Sequence, residues 1–211
     1  MYSRVIEDAK KKLALTKRQK EILFGTLLGD GHLETQNDGR TYRLKIEHSM
    51  KQKEYVDWLY CEFQEWILTP PIARIKRRGG SQSTNYGFST VSHGALRFFS
   101  HQYYEKSGVK KVPRIIHRWL TPLALAVWFM DDGSMKSKHH KARILNTHSF
   151  KKGDIERLID VLRSRYMLSS VIRKQSDGLQ IMILGESAND FARIIRPYMH
   201  NTMVYKLEGL D

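Results

Sequence analysis

Two aspartates, Asp30 and Asp132, are the residues whose type and spacing first indicate chemistry. Each follows an apolar run, precedes a glycine, and lies 102 positions from the other in a chain of 211 residues. A carboxylate is unfavourable at the negative C-terminal end of a helix, so two such ends at matched positions favour a functional role over ordinary helix turns. If the two carboxylates meet, they need a proton or a cation between them. Mg²⁺ accepts carboxylate and phosphate oxygens, so we predict a divalent-metal site that polarises a phosphodiester.

The sequence repeats itself between its two halves. The segments that match at an offset of 100 positions are Glu47-His48-Ser49-Met50-Lys51 and Thr147-His148-Ser149-Phe150-Lys151. Both halves are predicted to run helix, hairpin, helix, hairpin, helix, so an internal duplication explains the matched aspartates. His48 and His148 fall at helix-entry positions, without the Cys and His spacing of a zinc site.

Hydrophobic periodicity and turn residues predict the elements of each half. The first half is predicted to contain a helix that begins at the Thr16–Gln19 capping box, a hairpin over 32–47 that turns at 37–39, a helix over 51–68 stopped by Pro70, a hairpin over 72–91 that turns at 79–81 and returns from Tyr86, and a helix over 94–104. The second half is predicted to contain an element over 114–120, a helix from Thr121 to Met130, strands over 134–140 and 142–148, a helix over 153–167, strands over 171–175 and 179–184, and a helix over 187–198.

Small residues indicate how the two apolar helices meet. Gly25 and Gly29 lie four positions apart on one helix face, and Ala126 lies on the other helix. Glycine and alanine let two backbones approach closely. We therefore predict that these helices pack against each other, so that Asp30 and Asp132 emerge side by side.

The charge of the chain indicates a polyanionic partner. Thirty-six Lys and Arg oppose 22 Asp and Glu, which gives a net charge of +14, and a hydrophobic fraction of 41% is typical of a globular protein. A solvated basic surface is the alternative. The single cysteine, Cys61, fits a reducing, intracellular compartment. The sequence contains no apolar run near the ~20 residues that a membrane span needs.

Many of these cations are predicted to lie on strand faces. Arg and Lys can hold phosphates or bind guanine edges, Gln can bind adenine, and a two-stranded ribbon fits the major groove of DNA. For any single residue, a solvated position is the alternative. The candidates for DNA contact are Arg43, Lys45, Arg74, Lys76 and Arg78 in the first half, and Lys136, Lys138, Arg143, Arg173, Gln175 and Gln180 in the second.

The two aspartate motifs resemble those of the LAGLIDADG homing endonuclease family. The second motif, over residues 120–133, is especially similar, and the resemblance extends through 145–150 and 203–207 to cover about residues 17–207. The first motif departs from the family pattern at Thr26 and Leu28 but keeps Asp30 and its glycine. The chain is therefore identified as similar to the single-chain, two-motif members.

The resemblance implies an α+β fold of two pseudo-two-fold αββαββα halves, with two antiparallel sheets that form a DNA-binding saddle and the motif helices at its centre. We expect an N-terminal arm over residues 1–15, a first half over 16–106, a linker over 107–120 and a second half over 121–211. The implied activity is hydrolysis of one phosphodiester in each strand of double-stranded DNA, which leaves 3′ overhangs. The implied metal is Mg²⁺, with Mn²⁺ able to substitute, and the implied target is long and largely asymmetric.

The resemblance also implies one lysine per half near the active centre. Lys206 matches for the second half, whereas Lys110 and Lys111 remain alternatives for the first. Glu47 and Thr147, matched in the repeat, are expected to order the attacking water, although Glu47 could instead cap the next helix. Aligning Gly31 with Gly133 selects Asp132 as the counterpart of Asp30. Asp131 is then expected to support the metal ligands or to contact the DNA backbone. Asp131 and Gly29 complete the metal-site candidates.

Two other functions compete with the endonuclease. The same fold can serve as an intron RNA maturase, or as a DNA-binding protein whose catalytic site is silent. Retention of Asp30 and Asp132 disfavours the silent protein. We expect a monomer without a membrane partner, intron RNA as a further partner if the maturase interpretation holds, and a mitochondrion, another organelle or the bacterial cytoplasm as the compartment.

Overall fold

A computed structural model describes residue 8, residues 10–79 and residues 81–211 of the chain. The side chains of Arg78 and Ser81 lie outside that description, as do residues 1–7 and 9 of the expected arm. The chain divides into two compact units. The first contains Asp30–Ser100 and the residues up to Lys20, and the second contains Glu21–Gly29 and His101–Asp211.

Helices and strands alternate along the described chain in the order that the duplication predicts. The helices are α1 Lys17–Leu28, α2 Lys53–Glu62, α3 Arg97–Tyr103, α4 Ile116–Trp119, α5 Pro122–Asp132, α6 Lys152–Tyr166 and α7 Ala188–Ile195. The strands are β1 His32–Glu34, β2 Arg43–Ser49, β3 Ile72–Arg78, β4 Ser81–Ser89, β5 Gly133–Ser137, β6 His140–Asn146, β7 Ser170–Gln175 and β8 Gly178–Ile183. None of these helices is long and apolar enough to cross a membrane.

Each unit contains a four-stranded antiparallel sheet. The strand order is β1-β2-β4-β3 in the first unit and β5-β6-β8-β7 in the second, so the two sheets have the same topology. In the first unit, α2 packs on β2 and β4, and in the second, α6 packs on β7 and β8 while α7 covers β6. The α+β class, the two sheets and the duplication are thereby confirmed.

The helix starts follow the sequence signals closely. The backbone N–H of Gln19 donates to Thr16 Oγ1 at 3.1 Å, and the N–H of Thr16 donates to Gln19 Oε1 at 3.0 Å, which is the reciprocal capping box. At the start of α5, Thr121 Oγ1 accepts from the Ala124 N–H at 3.2 Å, with Pro122 in the first turn. Both helix starts were therefore predicted correctly.

Several predicted boundaries were wrong. Helix α2 ends at Glu62, because Phe63 leaves the helical region at φ −114°, and a short 3₁₀ turn follows before Pro70. Strand β4 begins at Ser81 rather than Tyr86, because its polar first residues pair with β3 all the way to Arg78. Helix α5 continues past Met130 to Asp132.

Helices α1 and α5 approach each other closely within the second unit. A Cβ atom built on Gly25 would lie 2.4 Å from the Ala124 carbonyl oxygen and 2.8 Å from the Val127 Cβ. A Cβ atom on Gly29 would lie 2.5 Å from the Asp131 Cβ. The predicted partner, Ala126, was therefore wrong: α5 presents positions 124, 127 and 131, which share one helix face.

We expect Gly25→Ala to lower the free energy of unfolding by roughly 1–3 kcal/mol, because the added methyl group has no space against the α5 backbone. Gly153→Ala is the matched control: Gly153 also lies in a helix, but its Cβ would meet nothing within 4 Å. That variant should gain about 0.4–1 kcal/mol, because alanine has less freedom in the unfolded chain. Urea denaturation followed by circular dichroism measures both, and equal stabilities would contradict the close helix approach.

Candidate functional site

Asp30 lies in the turn that follows α1, in the first unit. Its side chain is 44% exposed, and its Oδ2 lies 3.3 Å from Nδ1 of His48. The His48 side chain is almost fully buried, with its ring edge-on to Tyr55 at a centroid distance of 5.3 Å. A buried histidine therefore lies against one side of a carboxylate that is nearly half exposed.

Asp131 and Asp132 occupy the last turn of α5 in the second unit, and their side chains have different surroundings. Asp131 is 8% exposed and accepts a hydrogen bond of 2.8 Å from Thr26 Oγ1, while its Cβ packs over Gly29. Asp132 is half-buried. Asp131 thus contacts α1 across the helix packing, which supports the alignment that pairs Asp132 with Asp30.

A lysine reaches the C-terminal end of each motif helix. Lys206 Nζ donates to the Met130 carbonyl at 2.5 Å, with the Asp131 carbonyl at 3.5 Å, although the Lys206 residue is only 7% exposed. Lys110 Nζ donates to the Gly29 carbonyl at 2.7 Å. Gly29 and Asp131 are matched positions, so Lys110 corresponds to Lys206.

Lys111 lies elsewhere. Its backbone N–H donates to the Tyr103 carbonyl at 2.7 Å, and its side chain lines a separate cavity with Arg114 and Asp154. The structure therefore favours Lys110 over Lys111 as the residue beside the first motif.

Glu47 and Thr147 are matched in the repeat but differ in their contacts. Glu47 Oε1 accepts from Asn85 Nδ2 at 2.9 Å and forms an ion pair with Lys76, and Arg74 lies 3.8 Å away. Burial alone would raise the pKa of Glu47, but the hydrogen bonds from Asn85 and Lys76 outweigh it and lower the pKa below its ordinary value. Thr147 is buried and donates to the Leu179 carbonyl at 2.8 Å.

The alternative role of Glu47 as a helix cap was wrong. The side chain of Ser49 accepts from the Lys51 N–H at 3.4 Å and caps the short 3₁₀ turn that precedes α2. Glu47 instead faces the cations of β3.

The cations of the first sheet lie where they were predicted. Arg74 and Lys76 are exposed on β3, and Arg43 and Lys45 are half-exposed on β2. Arg78 ends β3 opposite Ser81, but its side chain lies outside the described residues.

Sequence reasoning missed Glu34, which lies among these cations. Its Oε2 accepts from Arg43 Nη2 at 2.7 Å, and its Oε1 lies 3.3 Å from Lys45 Nζ and 3.1 Å from His32 Nε2. Burial would raise the pKa of Glu34, but the hydrogen bonds from Arg43, His32 and Lys45 lower it to about 2. The turn predicted at 37–39 was the available signal in the sequence, because a hairpin that turns there places Glu34 opposite Arg43.

The candidates of the second sheet have more varied environments. Lys136 and Lys138 are exposed around the β5–β6 turn, and Arg173, Gln175 and Gln180 are half-buried on β7 and β8. Gln180 Nε2 donates to Asn146 Oδ1 at 2.7 Å. Arg143 is a correction: it is 1% exposed, and its guanidinium donates to backbone carbonyls in the interior, so it does not belong to an exposed strand face.

The donors at the motif ends suit a hard cation. Asp30 offers an accessible carboxylate and Asp132 a half-buried one, and Mg²⁺ or Mn²⁺ needs only one or two carboxylates when phosphate oxygens complete its ligands. Within residues 8, 10–79 and 81–211, no cluster of three or more His, Cys, Asp or Glu residues could hold a metal by itself. Each of the two carboxylates by itself suits an ion whose other ligands are phosphate or water oxygens.

Two matched helices define a duplicated α+β protein with two equivalent motifs. Each has an aspartate at its C-terminal end, is contacted there by a lysine from another segment, and leads into a four-stranded sheet. Residues 20–191 match the model described as the LAGLIDADG DNA endonuclease family. The chain belongs to this family.

Curated relatives cover nearly the whole chain. DNA endonuclease I-ChuI of Chlamydomonas applanata is 29% identical over 92% of this chain and 96% of the relative. Probable intron-encoded endonuclease 1 of Wickerhamomyces canadensis is 30% identical over 97% of this chain and 90% of the relative. Cytochrome b mRNA maturase bI2 of Saccharomyces cerevisiae is 29% identical over 88% of this chain but only 46% of the relative.

Solved structures show the same fold. The homing endonuclease I-WcaI bound to its DNA recognition sequence superposes with a TM-score of 0.91 at 27% identity, over 97% of this chain and 92% of that chain. I-DmoI in complex with DNA and Mn has a TM-score of 0.50 at 14% identity, over 83% of this chain and 94% of that chain, and is similar in fold alone.

Because the pKa of Glu34 is lowered, its contribution to the free energy of unfolding should depend on pH. Because its folded-state pKa of about 2 lies below the ordinary 4.5, its contribution is present above pH 4.5 and is lost as the pH falls towards 2. Glu34→Gln removes the contribution, so the difference in unfolding free energy between the two proteins should shrink on acidification. Urea denaturation at pH 6 and pH 3 measures it, and a constant difference would contradict the ion-pair cluster.

We expect Thr26→Val to destabilise the protein by about 1–3 kcal/mol, because it leaves the buried Asp131 carboxylate without its hydroxyl donor. The loss should be smaller in an Asp131→Ala background, and the double-mutant cycle measures the coupling. Thr69→Val, at an exposed threonine, is the control and should change stability by less than about 0.5 kcal/mol. Full additivity of the Thr26 and Asp131 changes would argue against the contact.

Proposed function

We propose that the chain is a site-specific homing endonuclease that hydrolyses one phosphodiester in each strand of a double-stranded DNA target. The observation that carries the proposal is the matched pair of helix ends. Asp30 follows a helix whose last turn binds Lys110, and Asp132 ends a helix whose last turn binds Lys206. Both pairs lie in a chain of the LAGLIDADG DNA endonuclease family.

Asp30 and Asp132 are the proposed metal ligands. Mg²⁺ is the proposed ion and Mn²⁺ its substitute, and the solved structure of I-DmoI, a relative in fold, contains Mn. When bound, such an ion supplies Lewis-acid polarisation of the scissile phosphate. His48 orients the Asp30 carboxylate from its buried side, which restricts the directions in which that carboxylate can offer its oxygens.

The lysines and Glu47 supply the remaining proposed chemistry. An ammonium group fixed by backbone carbonyls is preorganised to stabilise the negative charge that develops on phosphate oxygens. Lys110 and Lys206 are held in this way. Glu47 has a lowered pKa, so it is ionised at neutral pH and can accept a hydrogen bond from the attacking water. Thr147 already donates to a backbone carbonyl, so its matched role is limited to accepting.

The strand faces are the proposed DNA contacts. Arg74 and Lys76 on β3, and Lys136 and Lys138 at the β5–β6 turn, are exposed and can reach phosphates or base edges. The structure of the homing endonuclease I-WcaI bound to its DNA recognition sequence supports this proposal. We propose a long, asymmetric target cut with 3′ overhangs by a monomer. Because one relative is named a probable intron-encoded endonuclease, we propose a mobile intron as the genetic setting.

An RNA maturase is the second candidate function. It is favoured by the likeness to cytochrome b mRNA maturase bI2, although this chain spans less than half of that protein. Tight, salt-sensitive binding of the parent intron RNA, together with faster splicing, would support it. Binding to DNA without affinity for the intron RNA would exclude the maturase and leave the endonuclease as the proposed function.

The proposed function can be tested with a plasmid library that contains randomised targets and the gene's flanking sequence. We expect one target class to be linearised in the presence of Mg²⁺ and left intact in EDTA. Sequencing of the ends should show 3′ overhangs. Intact plasmid under every condition would overturn the endonuclease proposal.

We expect Asp30→Asn and Asp132→Asn each to slow double-strand cleavage by at least about 100-fold, because each removes a proposed metal ligand. DNA affinity, measured by gel shift, should persist, since the neutral amide adds no repulsion. Asp160→Asn, at an exposed acid on α6, is the control for a lost surface charge. If Asp131→Asn abolished cleavage while Asp132→Asn did not, the alignment of Gly31 with Gly133 would be wrong.

A further inference from the structure

Arg143 is a cation in the interior of the second unit. Its residue is 1% exposed, and within the described part of the chain its hydrogen bonds all go to backbone carbonyl oxygens. Nε donates to Lys206 at 2.9 Å, Nη2 donates to Glu208 at 2.5 Å, and Nη1 donates to Lys141 at 2.6 Å. One guanidinium therefore joins the start of β6 to the C-terminal segment.

That segment carries Lys206, a residue of the proposed active centre. Its backbone carbonyl is held by Arg143, and its ammonium reaches the last carbonyls of α5. The 3₁₀ helix Asn201–Leu207 that contains it also packs beside β5. The position of the ammonium is therefore fixed at both ends of the residue.

Burial of an arginine costs free energy of desolvation that an apolar packing residue does not cost. Desolvation opposes the charged form, and burial lowers the pKa of Arg143. An apolar side chain of similar volume would fill the same space without that penalty. What it could not supply is the fixed fork of five N–H donors, which can hold several carbonyls at defined angles.

A strand arginine of the other half has a different environment. Arg43, 100 positions earlier, is half-exposed on β2 and forms a two-pronged ion pair with Glu34. In the sheet registers Arg143 lies opposite Met135, whereas Leu44 lies opposite Leu33, so a buried leucine occupies the corresponding place in the first unit.

We propose that Arg143 is a positioning residue of the second motif, which holds the Lys206 ammonium at the end of α5 by binding the Lys206 and Glu208 carbonyls. This inference rests on the proposed endonuclease function. Because Lys206 belongs to one motif only, loss of Arg143 impairs one of the two strand cuts more than the other.

The test uses a supercoiled plasmid that carries the cleavage target, under single-turnover conditions with saturating protein. We expect Arg143→Met and Arg143→Lys to form nicked circles at a rate close to that of the wild type. Conversion of nicked to linear DNA should slow by about 10- to 100-fold, as for a catalytic group displaced by about 1 Å. DNA affinity measured in EDTA should be unchanged. Equal slowing of both cuts, or no slowing, would overturn the inference.

Arg43→Met is the control, because it removes an arginine from a strand surface and not from the interior. Because Arg43 lies on the proposed DNA face, its loss should weaken affinity and slow both cuts together at limiting protein, without accumulation of nicked circles. A nicked intermediate with Arg43→Met as prominent as that with Arg143→Met would contradict the assignment.

A second measurement tests the hydrogen bonds between Arg143 and the Lys206 segment without cleavage of DNA. The buried Lys206 should protect the Lys206–Leu207 bond of the wild-type protein from trypsin. Arg143→Lys, which keeps the charge but loses the fork, should be cut there at least about 10-fold faster while its thermal unfolding remains cooperative. Continued protection would overturn the inference. Failure of the wild-type protein to cut DNA would instead count against the proposed function. The trypsin result would still test whether Arg143 holds the Lys206 segment.

Discussion

The close contact between helices α1 and α5 is the constraint on which the rest of the site depends. At Gly25 the backbones approach so closely that a Cβ atom would lie 2.4 Å from the Ala124 carbonyl oxygen. Gly25 meets Val127 and Gly29 meets Asp131, and both pairs are matched positions of the duplication, 102 residues apart. A repeat that packs through its own matched positions brings corresponding turns of two helices together. This packing, together with the hydrogen bond from Thr26 to Asp131, therefore positions the final turns that carry the lysine-bound carbonyls.

The two halves have diverged around this shared contact. His48 lies beside Asp30, whereas its counterpart His148 lies 3.1 Å from Asp177. Glu47 is an ionised acid among cations, whereas Thr147 is a buried hydroxyl. A perfectly symmetric protein would present identical surfaces to both halves of a target, and identical surfaces favour a palindrome. Divergence after duplication removes that requirement while each sheet keeps its topology, as the proposed asymmetric target requires.

Local signals predicted local structure well. The Thr16–Gln19 capping box and the Thr121 cap give specific backbone hydrogen bonds, so a few neighbouring letters decide them. The face of α5 could not be predicted, because the helix is buried nearly all round and lacks an amphipathic stripe. Arg143 lies on β6, where consecutive residues are buried, so strand alternation misplaced its side chain. Lys110 and Lys111 are adjacent and differ only in their tertiary contacts, so a hydrophobic pattern in the sequence cannot distinguish them.

Lys110 and Lys206 stabilise the C-terminal ends of the motif helices through their charge. The last carbonyls of a helix carry partial negative charge, and a following carboxylate adds to it. Lys110 and Lys206 place an ammonium group on these carbonyls, which offsets the repulsion felt by the neighbouring acid. An active centre built from carboxylates alone would strain both helix ends until a cation arrived. With a lysine at each end, the motif helices can reach their full length without a bound cation, and in the proposed function the same ammonium groups are available to phosphate oxygens.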